Sequence, residues 1–469
     1  MDADHQKQTT EPVNEPPVDV SAVRRTHTTS TYRHRGVNVT EHRLEVPLDY
    51  DKPDGRTITV FARELSTGPT DPCDEKPALI FMQGGPGGRA PRPGNFMDGW
   101  IGRALTTHRV ILMDERGTGQ STRLDALTLS EFDTTQDQVD YIKNFRADSI
   151  VKDAESLRER INDGKPWASL GQSYGGFINL TYMSHHPEGL AQVYFTGGLP
   201  GLVSIDDIYR RTYEATALRN QAYFERFPDD EKTLRAIINH LDNHEETLPT
   251  GERLTSRRFR MIGLMLGTTT GFDQLHYFFE GPFTLVRGET RLNTQFLDMV
   301  HRQVSMGDSP MYALLHETIY AGTTNALAGT ATNWAAARLL DEVGHGIDEG
   351  FAPNPDPDDR ETPIYLTGEH IYPWLFDEDP ALTPLKDVAH ALAQETNWPT
   401  LYDETALSEN ELPAAAAVYA EDMFVPLDLS LVTARLAHVD PWITNEYQHD
   451  GLRVAGADVL SKLIELATH

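Results

Sequence analysis

From residue 35 onward the apolar positions follow two rhythms. Val37-Asn38-Val39 and His42-Arg43-Leu44-Glu45-Val46 alternate with period two, and Thr57-Ile58-Thr59-Val60-Phe61-Ala62 resumes the alternation after the turn Lys52-Pro53-Asp54-Gly55. That is the pattern of half-buried antiparallel strands joined by a tight turn. Ala78-Leu79-Ile80-Phe81-Met82 and Arg109-Val110-Ile111-Leu112-Met113 are instead continuous apolar runs, as expected of strands covered on both faces. A helix is expected near Ser149 to Ile161. A short strand, Trp167-Ala168-Ser169-Leu170, follows, then helical spacing over Phe177 to Met183 and another strand at Val193-Tyr194-Phe195-Thr196. Strands alternating with helices predict a mostly parallel central sheet flanked by helices, an α/β architecture.

After Gly197-Gly198-Leu199-Pro200 the rhythm changes. Residues 201–375 read as amphipathic helices, with no buried-strand run until Ile364-Tyr365-Leu366. This predicts a helical cap inserted above the carboxyl ends of the strands, where open α/β sheets bind ligands. Ala415-Ala416-Ala417-Val418-Tyr419 and Trp442-Ile443-Thr444 read as the last core strands, and Val459 to Ala467 as a closing helix. Residues 1–34, rich in Thr, Pro, Glu and Gln, show no periodicity and read as a mobile tail. The expected organisation is therefore tail 1–34, core 35–200, cap 201–375 and core 376–469.

Composition narrows the function. A chain of 469 residues exceeds one ordinary core and suits a large domain with an insertion. Lys plus Arg is 41 and Asp plus Glu is 71, so the formal charge is 41 − 71 = −30. That field repels phosphate backbones and anionic lipid, which argues against nucleic acid and membrane partners. Cys73 is the only cysteine, so neither an intrachain disulfide nor a multi-cysteine metal site can form. The first thirty residues lack the apolar core of a secretory signal, and no run approaches the roughly 18 apolar residues of a membrane span. The expectation is a soluble, cytoplasmic protein.

The chemistry centres on Gly171-Gln172-Ser173-Tyr174-Gly175. This is G-x-S-x-G between a strand and a helix, the context of a nucleophile elbow, which pushes the serine out above a helix N-terminus. A serine hydroxyl needs a base, and the base an orienting carboxylate, in the chain order Ser, Asp, His. Asp422, after the strand ending at Tyr419, and His449, in the polar loop Asn445-Glu446-Tyr447-Gln448-His449-Asp450-Gly451, fit that order; Asp428 and His438 are the fallback pair. Gly84-Gly85-Pro86-Gly87-Gly88, after a buried strand, fits a loop that lends a backbone N–H of Gly84 or Gly85 to an oxyanion hole, with Tyr174 supplying the second. No Gly-Lys-Ser/Thr follows it, so a phosphate cradle is excluded. Asp114-Glu115-Arg116-Gly117 reads as a structural turn buttressing the site.

These motifs resemble the prolyl aminopeptidase (proline iminopeptidase) family of α/β-hydrolases. The matching residues are GGPGG at 84–88, DERGTGQS at 114–121, GQSYGGF at 171–177, TGGLP at 196–200, EDMFVPLDLS at 421–430 and NEYQHDGLR at 445–453. The resemblance implies an α/β-hydrolase fold with a cap and a serine exopeptidase that needs no metal or cofactor. Its nucleophile, acid and base fall on Ser173, Asp422 and His449. It also implies cap glutamates that hold the substrate's free amino group, and Glu317 and Glu369, with Glu280 in reserve, are the candidates here. Two other readings remain open: a tripeptidyl-type aminopeptidase or carboxylesterase on the same fold, and a small-molecule receptor on a hydrolase scaffold.

Overall fold

A computed structural model describes residues 26–68 and 76–468. Cys73 and residues 1–25 lie outside that range, as does the expectation of a mobile tail there. The rest of the expected tail is corrected: His27–His34 is a strand, β1. It pairs antiparallel with β2 (Val37–Pro47), which pairs antiparallel with β3 (Thr57–Ser66). The core strands that follow are β4 (Ala78–Met82), β5 (Arg109–Asp114), β6 (Trp167–Gln172) and β7 (Leu190–Thr196). A short hairpin, β8 (Phe283–Val286) and β9 (Glu289–Leu292), lies apart from the main sheet. The last core strands are β10 (Ala414–Tyr419) and β11 (Asp440–Thr444).

The main sheet runs β1-β2-β3-β5-β4-β6-β7-β10-β11. β3 meets β5 antiparallel, and every pairing from β5 to β11 is parallel. All five residues of β4 are buried because its alternate side chains enter different cores. Leu79 and Phe81 pack with Trp100, Ile101, Leu460 and Leu463 from the helices Gly99–Leu105 and Gly456–Leu466. Ile80 and Met82 face Ile150, Val151, Ile178 and Leu180 from the helices Ala147–Ile161 and Tyr174–His185 on the other side. Each fully buried aliphatic side chain contributes about 1.5–3 kcal/mol. The continuous apolar runs of the sequence are what two covered faces require.

Among the described residues, no strand joins the main sheet between Thr196 and Ala414. That span opens with the helices Ile205–Arg226 and Pro228–Asn243 and contains the β8–β9 hairpin, which the helical reading did not anticipate. The expected strand run Ile364–Leu366 is also corrected. It is buried but forms no strand: Tyr365 N–H donates to Gly350 O (2.9 Å) and Leu366 N–H to Asn220 Oδ1 (2.8 Å). A short apolar run has no periodicity of its own, so burial without sheet pairing satisfies it equally well. No helix among the described residues is long and apolar enough to cross a membrane.

Candidate active site

Five adjacent strands, β4, β6, β7, β10 and β11, end on the same edge of the sheet, and the chemistry-bearing loops follow those ends. After β6 the chain turns at Ser173 with φ 84° and ψ −118°, a left-handed conformation that a non-glycine residue adopts only when its surroundings enforce it. Ser173 N–H donates to Thr196 O on β7 (3.2 Å), and Gly176 N–H returns to Ser173 O (2.8 Å). Gly175 is required by close approach: a Cβ there would collide with the Met82 carbonyl of β4. The helix Tyr174–His185 begins at once, so the Tyr174 N–H is among the first-turn donors that no intrahelical carbonyl reaches.

Ser173, His449 and Asp422 form one hydrogen-bonded chain. Ser173 Oγ lies 2.9 Å from His449 Nε2, and His449 Nδ1 lies 2.7 Å from Asp422 Oδ2. The other carboxylate oxygen, Asp422 Oδ1, accepts the N–H groups of Phe424 (2.9 Å) and Val425 (3.1 Å). With both oxygens engaged the carboxylate cannot rotate. The His449 ring also meets the edge of Phe424, with centroids 5.0 Å apart and planes at 88°. Gly197, φ 51°, leaves room for this pair, since a Cβ there would sit 3.0 Å from His449 Nδ1. Burial alone would lower the His449 imidazole, but the Asp422 charge and hydrogen bond outweigh it, Glu369 adds to them, and the net effect is a rise. A hydroxyl bonded to an imidazole that a carboxylate orients can give up its proton as its oxygen attacks a carbonyl.

The fallback pair stays apart from this chain. Asp428 is exposed and pairs with Arg211 (3.2 Å), and exposed His438 bonds Ser408 O (3.0 Å). The glycine loop after β4 does touch the elbow. A Cβ on Gly84 would lie 2.8 Å from Gln172 Oε1 and 2.9 Å from Ser173 Cβ, so only a glycine backbone comes this close to the serine. Gly85, φ 143°, continues the loop in a conformation open to glycine.

Residues of the span between β7 and β10 pack against the elbow and the glycine loop, and Ser173 is only 9% exposed. Tyr320 meets Phe177 of the elbow helix edge to face (5.7 Å), and Ser309 Oγ donates to Gly87 O (3.2 Å). Of the expected cap glutamates, Glu369 is closest to the chemistry. Tyr312 OH donates to its carboxylate, and His316 Nε2 lies 3.6 Å from Oε1. Burial raises its pKa, but His316, Tyr312 and His449 together hold it below the usual carboxylate value. Glu317 sits deeper: Ala336 N–H donates to Oε1 (3.3 Å), and its buried Oε2 has no partner. Burial pushes Glu317 up to about 7, and the Ala336 N–H offsets only part of that rise. Glu280 is corrected. It is exposed just past the helix Gly271–Phe278, where water already solvates a carboxylate, and no contact joins it to the serine, histidine or aspartate. Tyr312 and His316 lie in none of the matching motifs and reach the site only through tertiary packing; Phe424 lies in the 421–430 motif, but its contact with His449 is set by packing as well.

The sheet, the elbow at Ser173 and the Ser–His–Asp geometry define an α/β hydrolase, and a family model described as the alpha/beta hydrolase fold matches residues 77–278. A curated proline iminopeptidase from Aeromonas sobria is 43% identical over 440 residues, covering 92% of this chain and 97% of that protein. The proline iminopeptidase aneH of Aspergillus aculeatus is 32% identical over 436 residues, covering 91% of this chain and 93% of its own. The proline iminopeptidase of Arabidopsis thaliana matches a shorter stretch, 32% over 120 residues and 25% of this chain. The chain belongs to the proline iminopeptidase family.

Proposed function

We propose that the protein is a serine aminopeptidase that releases N-terminal proline from short peptides. Ser173 Oγ attacks the carbonyl of the first residue while His449 Nε2 takes its proton, and the imidazolium then returns that proton to the leaving amine. Asp422 holds the imidazole with Nδ1–H towards itself. Backbone N–H groups of the Gly84–Gly85 loop and Tyr174 receive the developing oxyanion. Water, activated by the same imidazole, then cleaves the acyl-enzyme. The single observation that carries this reading is the unbroken chain Ser173–His449–Asp422, at 2.9 and 2.7 Å.

Restriction to free amino ends is assigned to Glu369, with the unpartnered Glu317 Oε2 as a second acceptor. A buried carboxylate favours an ammonium and disfavours an acylated, neutral nitrogen. Turnover of a proline arylamide beside its N-acetyl form tests this: only the free-amine compound should react, and equal rates would remove the exopeptidase assignment. The same panel separates the neighbouring readings, because a tripeptidyl enzyme or an esterase would favour longer N-terminal units or simple acyl esters. A receptor would leave Ser173 unlabelled by fluorophosphonates. We further place the protein in the cytoplasm, since a single cysteine suits a reducing compartment.

A further inference from the structure

The loop carrying the oxyanion glycines hangs between β4 and the cap, yet two consecutive acids at the end of β5 hold both its ends. Gln83 N–H, immediately before Gly84, donates to Glu115 Oε1 at 2.9 Å. Ala90 N–H, after Gly88, donates to Asp114 Oδ1 at 3.1 Å, and Asp114 Oδ2 takes Arg92 and the Gln120 N–H. Asp114 is fully buried and Glu115 is 1% exposed. The two acids differ in their charged company. Asp114 has the Arg92 guanidinium. Glu115 has no ion pair among the described residues, and its side chain meets a neutral amide N–H. Burial first, then the nearby Asp114 and Asp153 charges, push Glu115 well above the usual carboxylate range, against the lowering by Gln83 N–H. A neutral acid here still has its carbonyl oxygen to accept with.

We propose that Glu115 is a positioning residue for the reaction: its carboxyl oxygen fixes the Gln83 amide and, through it, the Gly84–Gly85 turn against Ser173. The geometry leaves little slack, because even one added methyl, a Cβ on Gly84, would lie 2.7 Å from Gln172 O and 2.9 Å from Ser173 Cβ. A buried N–H that loses its acceptor turns elsewhere, and the peptide turning with it would be Met82–Gln83, directly joined to the Gln83–Gly84 peptide that carries the Gly84 N–H. A displacement of about 1 Å at a catalytic donor costs up to roughly a hundredfold in rate. The inference rests on Ser173 being the nucleophile and on the glycine loop receiving the oxyanion.

Three variants test it. Glu115→Gln keeps an acceptor oxygen at the same reach, Glu115→Met fills the same volume without one, and Glu115→Asp withdraws the acceptor by one methylene. The readouts are kcat and KM on a proline arylamide, and inhibition by the boronic acid analogue of proline and by free proline. The boronate becomes tetrahedral on serine and places an oxygen where the oxyanion would lie; free proline does not. Glu115→Met and Glu115→Asp should lose roughly ten- to hundredfold in kcat and in boronate affinity. KM and inhibition by free proline should stay within about twofold, and Glu115→Gln should restore most of the loss. If Glu115→Met does not fold, Glu115→Asp decides. Folded variants that keep wild-type boronate affinity would overturn the positioning role, as would Glu115→Gln being as impaired as Glu115→Asp. A wild-type enzyme neither labelled at Ser173 by a fluorophosphonate nor inhibited by the boronate would instead overturn the parent reading, and this one with it.

Discussion

His449 donates its backbone N–H to the carbonyl of Gly267 at 3.2 Å, so the imidazole beside Ser173 is anchored by a residue of the span between β7 and β10. Thr269, two residues on, holds the same loop: its N–H donates to Asp450 Oδ1 at 2.9 Å, its hydroxyl donates to the same oxygen, and that hydroxyl accepts the Gln448 N–H at 3.2 Å. The span between β7 and β10 thus covers the serine and also fixes the His449 loop. Thr269→Val removes the hydroxyl and keeps the shape. Each lost hydrogen bond is worth about 1 kcal/mol, so a several-fold fall in kcat with little change in KM is expected, together with a lower Tm. Steady-state kinetics and a thermal melt of the same preparation check both.

Ser173→Ala should abolish turnover while leaving proline binding intact. Losing the nucleophile of a Ser–His–Asp unit costs roughly four to six orders of magnitude in kcat. Calorimetric titration with free proline alongside the arylamide assay separates chemistry from binding. Residual activity within a hundredfold of wild type would contradict the assignment.

Asp422→Asn is predicted to be nearly as damaging, for a reason visible in the hydrogen bonds. Phe424 and Val425 N–H both point at Oδ1, so an asparagine must place its carbonyl oxygen there and its NH2 towards His449. His449 Nδ1 would then have to accept, leaving its proton on Nε2, aimed at Ser173. That tautomer cannot receive the hydroxyl proton, and losses of about 10^4 in kcat follow from such a change. A crystal structure of the variant should show unchanged positions; a variant retaining a tenth of wild-type kcat would rule the tautomer argument out.

Activity should fall on the acid side as His449 takes a proton and can no longer accept one from Ser173. Asp422, with a further contribution from Glu369, raises that imidazole against the effect of burial. Removing the Glu369 charge should therefore move the acid limb to lower pH. The pH dependence of kcat/KM on a neutral acyl ester, compared between wild type and Glu369→Gln, isolates this from substrate binding. A limb that stays put or moves upward would contradict the coupling.

Glu369→Gln should also raise KM for proline arylamides far more than for that ester. Breaking a buried ion pair by removing one partner costs roughly 3–5 kcal/mol, about two to four orders of magnitude in affinity. Glu317→Gln should give a smaller effect of the same sign if its free Oε2 shares the ammonium. Parallel KM measurements on amine and ester substrates check both.

Local pattern was enough to read the strands that carry the site. Continuous apolar runs marked β4 and β5, and G-x-S-x-G between a strand and a helix located Ser173, because two covered faces and a tight turn restrict which residues can stand there. Chain order after β10 and β11 pointed to Asp422 and His449, since a loop at a strand's carboxyl end must emerge on that edge of the sheet. β1 escaped that reading because its side chains are mostly exposed, so His27–His34 shows no apolar alternation and its pairing with β2 is carried by the backbone. Ile364–Leu366 misled for the opposite reason, being apolar and buried without a strand partner.

Packing alone decided how the three candidate acids are surrounded. Glu280, Glu317 and Glu369 look alike along the chain, but only folding leaves the first in water, buries the second with one free oxygen, and sets the third beside Tyr312 and His316. The same holds for Glu115 and the Gln83 amide, and for Gly267 and His449. A strand or an elbow is set by neighbours a few residues away, whose periodicity the chain displays. The surroundings of a buried charge are set by residues tens of positions distant or more, as with Gln83 and Glu115 or Tyr312 and Glu369, and no local pattern records them.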